Sequence, residues 1–291
     1  MGGAAAAEEL PSTRWVYRVT AAGRTNPIGL GIGTRLALRR QLYHSDAVAL
    51  RDNAAAGAVT AVVTPAFTRV GAAAEVSPAS FATLFATWER YDFFGTVGMA
   101  QSFPSAASNS GPAELARRAA LPPGSSESPY ALKGQQVTVG ATLGVQVGHW
   151  LVRDQARLFW NQADLRGGDR VFWDPSVDLI VGNGGWAVAD DLDVAWTDGR
   201  LTAGLTFNVL KSLLRSSDYL PGERSSPVDA WRARLGPSVN YTWSEPVGSR
   251  FVPSAFAQVQ WWLVHPYRTG QEAPALVPWI YLGVSAAGDL L

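Results

Sequence analysis

The stretch IGLGIGTRLALRRQL, residues 28–42, alternates between two kinds of side chain. Isoleucine and leucine recur at every second position, and glycine, arginine and glutamine fill most of the positions between them. Successive side chains of a β-strand point to opposite faces of the sheet, so this period of two predicts a strand with one apolar and one polar face. The same alternation recurs in residues 137–147 and 231–244. The chain is therefore predicted to be all-β.

Strand length and the character of the polar face favour a transmembrane antiparallel up-and-down β-barrel. Several runs stay in phase for about 11 residues, enough to cross a bilayer at a tilt, whereas strands of soluble proteins are typically about 5 to 6 residues long. The polar face carries small and hydroxyl side chains with scattered arginines, and it lacks the lysine and glutamate that coat a soluble sheet. A soluble β-sandwich binding protein is the alternative fold, in which the apolar faces would meet one another.

Composition excludes several classes of protein. Hydrophobic residues make up 47% of the chain and charged residues 16%, with 24 basic residues balancing 24 acidic ones. Such a chain is not disordered, and it lacks the basic excess of a nucleic-acid binder. It contains no cysteine, which removes disulfides, thiolate metal sites and thiol nucleophiles, and it has no apolar run long enough for a transmembrane helix. No cofactor and no metal are predicted.

The turn signals predict about ten strands, with 8–12 possible. Asp198-Gly199 is a strong two-residue hairpin signal. Short connections are predicted at 77–80, 148–149, 198–199 and 245–248, and long polar ones at 44–56, 104–133, 164–186, 213–227 and 266–274. Long and short connections alternate, as the short periplasmic turns and long extracellular loops of outer-membrane barrels do.

The barrel is predicted to cover residues 28–291, preceded by a periplasmic segment at 1–27 with a possible extra strand at 13–20. The alternation of apolar and polar residues is irregular in residues 57–76, around Pro65, which predicts a bulge or a strand end. A small-residue run before Glu8 resembles the region around a signal-peptide cleavage site, so we expect an export signal to have been removed.

Two further elements are predicted in the long loops. Gly111 followed by Pro112 predicts a short helix that ends before Pro122. A solvated loop helix is favoured, and a lid or constriction at the barrel mouth is the alternative. Residues 170–188 are expected to form an extended extracellular loop rather than a hairpin that crosses the membrane.

Aromatic residues cluster at the predicted strand ends, as in the two interfacial girdles of a membrane barrel. Filling of a soluble core is the alternative explanation. The residues beside the short turns are Trp150, Trp196, Trp243 and Phe251, and those beside the long loops are Tyr43, Trp160 and Trp231.

These features together resemble bacterial outer-membrane β-barrel proteins across residues 28–291. The resemblance implies location in the bacterial outer membrane and contact with its lipids and lipopolysaccharide. The omptin proteases are not matched, because no aspartate lies two residues before a histidine. The outer-membrane phospholipases are not matched either, because His149 is followed by Trp150 and Leu151 rather than by Ser-Asn-Gly.

Polar side chains on the non-lipid face are predicted to line the lumen. They are Arg35, Arg39, Arg157, Arg232, Arg234, Glu89, Asp191, Asp193, Gln258 and Gln260. An isolated charge in a narrow barrel is costly, so these groups are expected to pair into a plug or to line a thin water path. In an open pore the arginines would favour anions.

Catalytic candidates are sparse, and no catalytic residue is assigned. The histidines are His44, His149 and His265, and an enzyme would need His44 or His265 within reach of a carboxylate and a hydroxyl. Asp178, Asp190, Asp191 and Asp193 lack the spacing of a calcium loop, and pairing with inward arginines explains them better.

The predicted role is a narrow passive pore or a structural, surface-binding barrel. An outer-membrane enzyme, a lipid or peptide hydrolase with its site at the extracellular rim, is the alternative. Only Lys133 and Lys211 are lysines, so surface arginines could bind lipopolysaccharide phosphates, although a genomic bias would give the same composition. Small solutes are the expected cargo, and a monomer is favoured.

Overall fold

The computed structural model describes residues 12–223, 230–243 and 250–290. The strands are β1 (Thr13–Thr25), β2 (Gly29–Arg40), β3 (Ala54–Val63), β4 (Phe67–Ala79), β5 (Ala82–Phe93), β6 (Gln101–Phe103), β7 (Leu132–Val147), β8 (Trp150–Ala163), β9 (Val171–Asp174), β10 (Leu179–Gly182), β11 (Gly185–Asp198), β12 (Leu201–Leu213), β13 (Trp231–Thr242), β14 (Val252–Val264) and β15 (Trp279–Asp289). One α-helix, α1 (Pro112–Ala119), and two 3₁₀ turns (Val48–Leu50 and Ser216–Asp218) complete the described elements.

Twelve of these strands form a closed antiparallel barrel. Their order is β1, β2, β3, β4, β5, β7, β8, β11, β12, β13, β14 and β15, and β15 pairs with β1 from Val16 opposite Asp289 to Thr25 opposite Ile280. The predicted all-β antiparallel barrel is confirmed, and the strand number lies at the upper end of the predicted range.

Two features of the N-terminal part raise the strand number from ten to twelve. The barrel begins at Thr13 rather than at residue 28, because β1 pairs along its length with both β2 and β15. Residues 57–76 are not one strand but the two strands β3 and β4. The turn between them is closed by Thr64, whose hydroxyl oxygen accepts hydrogen bonds from the backbone N–H groups of Ala66 and Phe67.

The two ends of the barrel differ. We call the end that holds both chain termini the terminal end, and the opposite end the loop end. The connections at the loop end are 26–28, 64–66, 94–131, 164–184, 214–230 and 265–278. Those at the terminal end are 41–53, 80–81, 148–149, 199–200 and 243–251.

The predicted strict alternation of long and short connections is therefore wrong for the first four strands. The long connection 41–53 lies at the terminal end, on the same side as the two-residue turns. Asn53 organises this connection, because its side-chain oxygen accepts the N–H groups of Leu42 and Tyr43 while its amide nitrogen donates to the carbonyl of Leu50. The predicted turn at 245–248 falls outside the described residues.

The hairpin turn at Asp198-Gly199 forms as the sequence predicts. Gly199 has φ +57°, a backbone conformation that glycine adopts without steric cost. The turn connects β11 to β12, which pair from Asp198 opposite Leu201 onwards.

The outward face of the barrel is apolar all round, which fits a membrane-spanning barrel and not a sandwich. Large outward side chains stay exposed on every side instead of packing against a second sheet: Leu30, Val59, Val70, Leu84, Leu143, Val152, Val194, Leu205, Val239, Leu263 and Leu282. Soluble monomers rarely expose so continuous an apolar surface. Within the described ranges, no helix is long and apolar enough to cross a membrane.

Aromatic residues mark both edges of this apolar belt. Trp150 lies opposite Trp196 at the terminal end, and Trp160 lies opposite Trp186 near the loop end. Trp231 starts β13 at the loop end, whereas Trp243 and Phe251 are exposed at the terminal end. Tyr43 lies in a long connection, 41–53, as predicted, but this connection is at the terminal end and not at the loop end with Trp160 and Trp231. There the hydroxyl of Tyr43 donates to the carbonyl of Pro78.

The loop end carries a separate three-stranded sheet in the order β10, β9, β6. Residues 170–188 therefore contain a hairpin, β9 to β10, where an extended loop was expected. The helix predicted after Gly111 is α1, with Pro112 in its first turn. It packs against this sheet, since Leu115 contacts a buried cluster that includes Phe103 and Trp173.

Adjacent residues on β7 test the assignment of faces. Leu143 is outward and 53% exposed, whereas the hydroxyl of Thr142 accepts a hydrogen bond from the Gln155 amide at 3.0 Å. We expect Leu143→Arg to lower the free energy of unfolding in a bilayer by roughly 2 to 4 kcal/mol, because a charge would enter hydrocarbon. Thr142→Arg should cost clearly less. Denaturant titration of both variants in lipid vesicles measures this, and equal losses would contradict the assignment.

Candidate functional site

The register places each of the ten predicted lumen residues on the inward face of its strand. Arg35 and Arg39 on β2, for example, border the same cavity as Asn240 on β13 and Ser254 on β14, which lie elsewhere around the barrel wall. The inward faces thus enclose one lumen, which we treat as the candidate site.

Neighbouring lumen charges pair across the strands, as the cost of isolated charge requires. Arg35 and Glu75 are 2.8 Å apart, and Arg157 forms an ion pair with Asp191. Asp193 pairs with Arg153 at 2.6 Å. Arg153 was missed in the sequence, although it has the same strand parity as Arg157 and could have been identified from that spacing.

Asn208 connects Asp191 to two arginines of β13. Its amide nitrogen donates to Asp191, and its side-chain oxygen accepts from Arg232 at 2.6 Å and from Arg234 at 3.1 Å. The guanidinium of Arg234 also lies 3.9 Å from the centre of the Trp279 ring, a cation–π contact. One polar network therefore crosses β8, β11, β12, β13 and β15.

The tip of the β9–β10 hairpin is inserted among the lumen arginines. Arg24 on β1 donates to the carbonyl of Pro175, and Arg232 on β13 donates to the carbonyl of Val177. Arg69 on β4 donates to the hydroxyl of Ser176 at 3.2 Å and lies 3.6 Å from the Asp174 carboxylate. Strands from three parts of the barrel wall hold the same short segment.

A buried carboxylate completes this attachment. Arg268 donates to Asp178 with two nitrogens, at 2.6 and 3.2 Å, and His265 Nε2 lies 3.2 Å from Asp178 Oδ2. Burial alone would raise the pKa of Asp178, but the hydrogen bond from His265 and the charge of Arg268 outweigh it, so that its pKa lies below the usual range. The carboxylate is thus kept ionised inside the protein.

Apolar contacts hold the rest of the hairpin against one side of the lumen. Phe172, Val177, Leu179 and Val181 share a buried cluster with inward residues of strands β5 to β12, which are Tyr91, Phe93, Leu132, Phe159, Ala187, Ala189 and Leu210. Sequence reasoning missed this packing. Its signal is that inward positions of β5, β7 and β8 near the loop end carry the large apolar residues Tyr91, Phe93, Leu132 and Phe159.

The opposite wall is built from small residues. The inward positions of β1 and β2 near the loop end include Thr20, Ala22, Gly29, Gly31 and Gly33. At Gly31 a Cβ atom would lie only 2.9 Å from the Thr64 side chain, so the wall approaches the β3–β4 turn closely there. Space is therefore left between this wall and the hairpin.

Two cavities lie along this wall. The upper cavity, toward the loop end, has a volume of about 860 Å³ and is bordered by β1, β2, β15 and the hairpin residues Pro175 and Ser176. The lower cavity, toward the terminal end, has a volume of about 930 Å³. Thr20 borders both.

The histidines do not assemble a catalytic group. His44 lies at the terminal end, exposed and 3.6 Å from Asp46, whereas His265 lies at the loop end. Nδ1 of His265 accepts the Tyr267 N–H, and Nε2 faces Asp178, so both ring nitrogens are engaged. His149 contacts the carbonyl of Thr197 in a turn. His44 and His265 therefore lie at opposite ends of the barrel.

The aspartates are dispersed as well. Asp191 and Asp193 point inward, Asp190 precedes them on the outward face, and Asp178 is in the hairpin. In the part of the chain that the structure describes, no three His, Asp or Glu side chains come together as metal ligands.

A closed barrel with an apolar belt, interfacial aromatics and a polar lumen defines a membrane-spanning β-barrel. No protein-family model matches the sequence, and no curated protein matches it. Solved structures do match in fold. The translocator domain of the autotransporter NalP from Neisseria meningitidis is 10% identical with a TM-score of 0.46, and 97% of this chain and 89% of that chain are covered.

Two other solved structures give the same result. The β domain of the Bordetella autotransporter Brka is 12% identical with a TM-score of 0.46, covering 94% of this chain and 99% of that one. OmpT, an outer membrane protein of Vibrio cholerae, is 8% identical with a TM-score of 0.36, covering 97% and 100%. At such low sequence identity these structures show a similar fold only.

Removing the Asp178 charge should release the hairpin. In Asp178→Asn, Arg268 stays buried without its anion, which typically costs about 3 to 5 kcal/mol. We expect amide hydrogen exchange in Val171–Gly182 to become faster by a corresponding factor. Asp164→Asn is the control, because Asp164 is exposed. Equal exchange in the two variants would show that Asp178 does not hold the hairpin.

The same attachment should resist mild acid. A carboxylate with a lowered pKa contributes stability that is present above its ordinary pKa and is lost only as the pH falls through the lowered value. Hairpin exchange, corrected for its intrinsic pH dependence, should therefore be unchanged from about pH 7 to about pH 5. Loosening within that interval would contradict the assigned ionisation.

Proposed function

We propose that this protein is a narrow passive channel for small hydrophilic solutes in a bacterial outer membrane. The observation that carries the proposal is that Thr20 borders both lumen cavities, which supports a space that continues along the small-residue wall. The two volumes, about 860 and 930 Å³, are of the size that accommodates small molecules.

Each cavity also reaches an end of the barrel. The upper cavity is bordered by Ile28, Pro65 and Val97, which belong to loop-end connections. The lower cavity is bordered by Asp52 and Ser80, which belong to terminal-end connections. These borders support a route that enters at one end and leaves at the other.

The hairpin sets the width of this route. It fills the side of the upper lumen formed by β5 to β12 and leaves only the side formed by β1, β2 and β15. Large solutes are excluded as long as Arg24, Arg69, Arg232 and Arg268 hold the tip in place. We therefore propose a small conductance and a low size limit.

The proposed setting follows from the outer surface. The apolar belt would contact outer-membrane lipids, the terminal end would face the periplasm, and the loop end would face lipopolysaccharide. We propose a monomer, since barrel closure leaves none of the twelve strands with an unpaired edge.

A closed, surface-binding barrel is the second candidate function. The observation in its favour is the number of contacts that hold the hairpin tip, which would suit a permanent plug. We propose a passive role in either case and no catalytic one, since both ring nitrogens of His265 are used in holding the hairpin.

Cysteine accessibility separates the channel from the plug. The chain has no cysteine, so a single introduced thiol is unique. In Thr20→Cys, a charged methanethiosulfonate reagent added on either side of a planar bilayer should reach the thiol and reduce the single-channel current. Val19→Cys is the matched control, because Val19 is the next residue on the outward face of β1.

Reaction of Thr20→Cys from both sides, with no change of current in Val19→Cys, supports the channel. Reaction from only one side, or absence of any single-channel current in the unmodified protein, overturns the channel and leaves the plugged barrel.

A further inference from the structure

We infer that the lower cavity is a binding site for oxyanions, phosphates or carboxylates, with one position anchored by Arg18 and a second anchored by Arg39. The inference extends the proposed function, because the anion would reach the site through the lumen. It names a chemical class of solute that the channel proposal leaves open.

Four arginines form two directly opposed pairs on the inward face of β1 and β2. Arg18 is opposite Arg35, and Arg14 is opposite Arg39 in the strand register. Like charges opposite each other on neighbouring strands are destabilising. The lower cavity therefore concentrates positive charge where folding alone would not favour it.

In each pair, one guanidinium forms an ion pair with a carboxylate and the other does not. Arg35 forms an ion pair with Glu75 at 2.8 Å, and Arg14 forms one with Asp289 at 2.7 Å. Among the residues that the structure describes, no carboxylate lies within ion-pair distance of Arg18 or Arg39. Arg39 donates to the backbone carbonyl of Asp52 at 3.2 Å, which leaves its charge uncompensated by an ion pair.

The rest of the cavity suits an anion. Its neutral lining includes the hydroxyl and amide side chains of Ser77, Ser80, Thr83, Asn240, Thr242, Ser254 and Ser285. Its charged lining consists of the five arginines Arg14, Arg18, Arg35, Arg39 and Arg153 and the three acids Asp52, Glu75 and Asp289. Arginine presents a planar fork of donors that matches the two oxygens of a phosphate or carboxylate.

The distance between the two arginine pairs is too long for one small anion to contact both pairs. Residues 14 and 18 are four apart on one strand, as are residues 35 and 39, which corresponds to about 13 Å at the usual rise per residue. One inorganic phosphate is therefore expected at a single pair. A multivalent anion of extended shape would be needed to bridge both.

Calorimetric titration of the full-length protein in detergent at low ionic strength tests the site without requiring conduction. Inorganic phosphate is the first probe, and citrate and acetate are the second, so that the two sources of oxyanion are compared. We expect the double variant Arg18→Gln with Arg39→Gln to bind at least about tenfold more weakly than the unmodified protein, because each position loses the charge-assisted contact of its anchor. Arg40→Gln is the matched control, since Arg40 is the next residue on the outward face.

A thermal melt checks that the double variant is folded. Removing two uncompensated like charges should leave the double variant at least as stable as the unmodified protein. The site is supported if phosphate or the carboxylates bind to Arg40→Gln but not to the double variant. The probe that binds more tightly then identifies the preferred class of anion. Absence of binding by all probes, or equal binding by the double variant, overturns it. A protein that binds the anion yet carries no current would refute the channel and keep the site.

Discussion

The pairing of β1 with β15 is the contact on which the rest of the structure depends. Inside a bilayer no water satisfies a free strand edge, so a sheet is viable there only when it closes on itself. Closure between Val16 and Thr25 on one side and Ile280 and Asp289 on the other leaves no edge to the lipid. It also creates a single interior, in which every inward side chain needs a partner from another strand or from a loop.

The interior has two parts, because its wall residues are large on one side of the barrel and small on the other. Aromatic and aliphatic side chains from β5 to β12 pack against the β9–β10 hairpin, whereas glycine, alanine and threonine on β1 and β2 leave room. Arginines line both parts of the interior. Arg24, Arg69 and Arg232 hold the hairpin through its carbonyl and hydroxyl oxygens near the loop end, and the arginines near the terminal end face open space.

Alternation predicted which face of each strand is apolar, because that property is local. It assigned Arg35 and Asp191 to the side on which the structure places them, and the Asp198-Gly199 turn needed only its own two residues. It did not predict the side of the connection 41–53, because Pro65 was treated as an irregularity within one strand and not as a turn. The insertion of the hairpin depends on contacts between Asp178 and Arg268, 90 residues apart, which no local pattern contains.

The rim at the loop end is uneven in height. The connections 26–28 and 64–66 are short turns, whereas the other connections at that end are longer and include α1 and the small sheet. Ile28 and Pro65 of the short turns border the upper cavity. In the proposed channel, the entrance at the loop end would therefore lie off the barrel axis, beside β1 to β4.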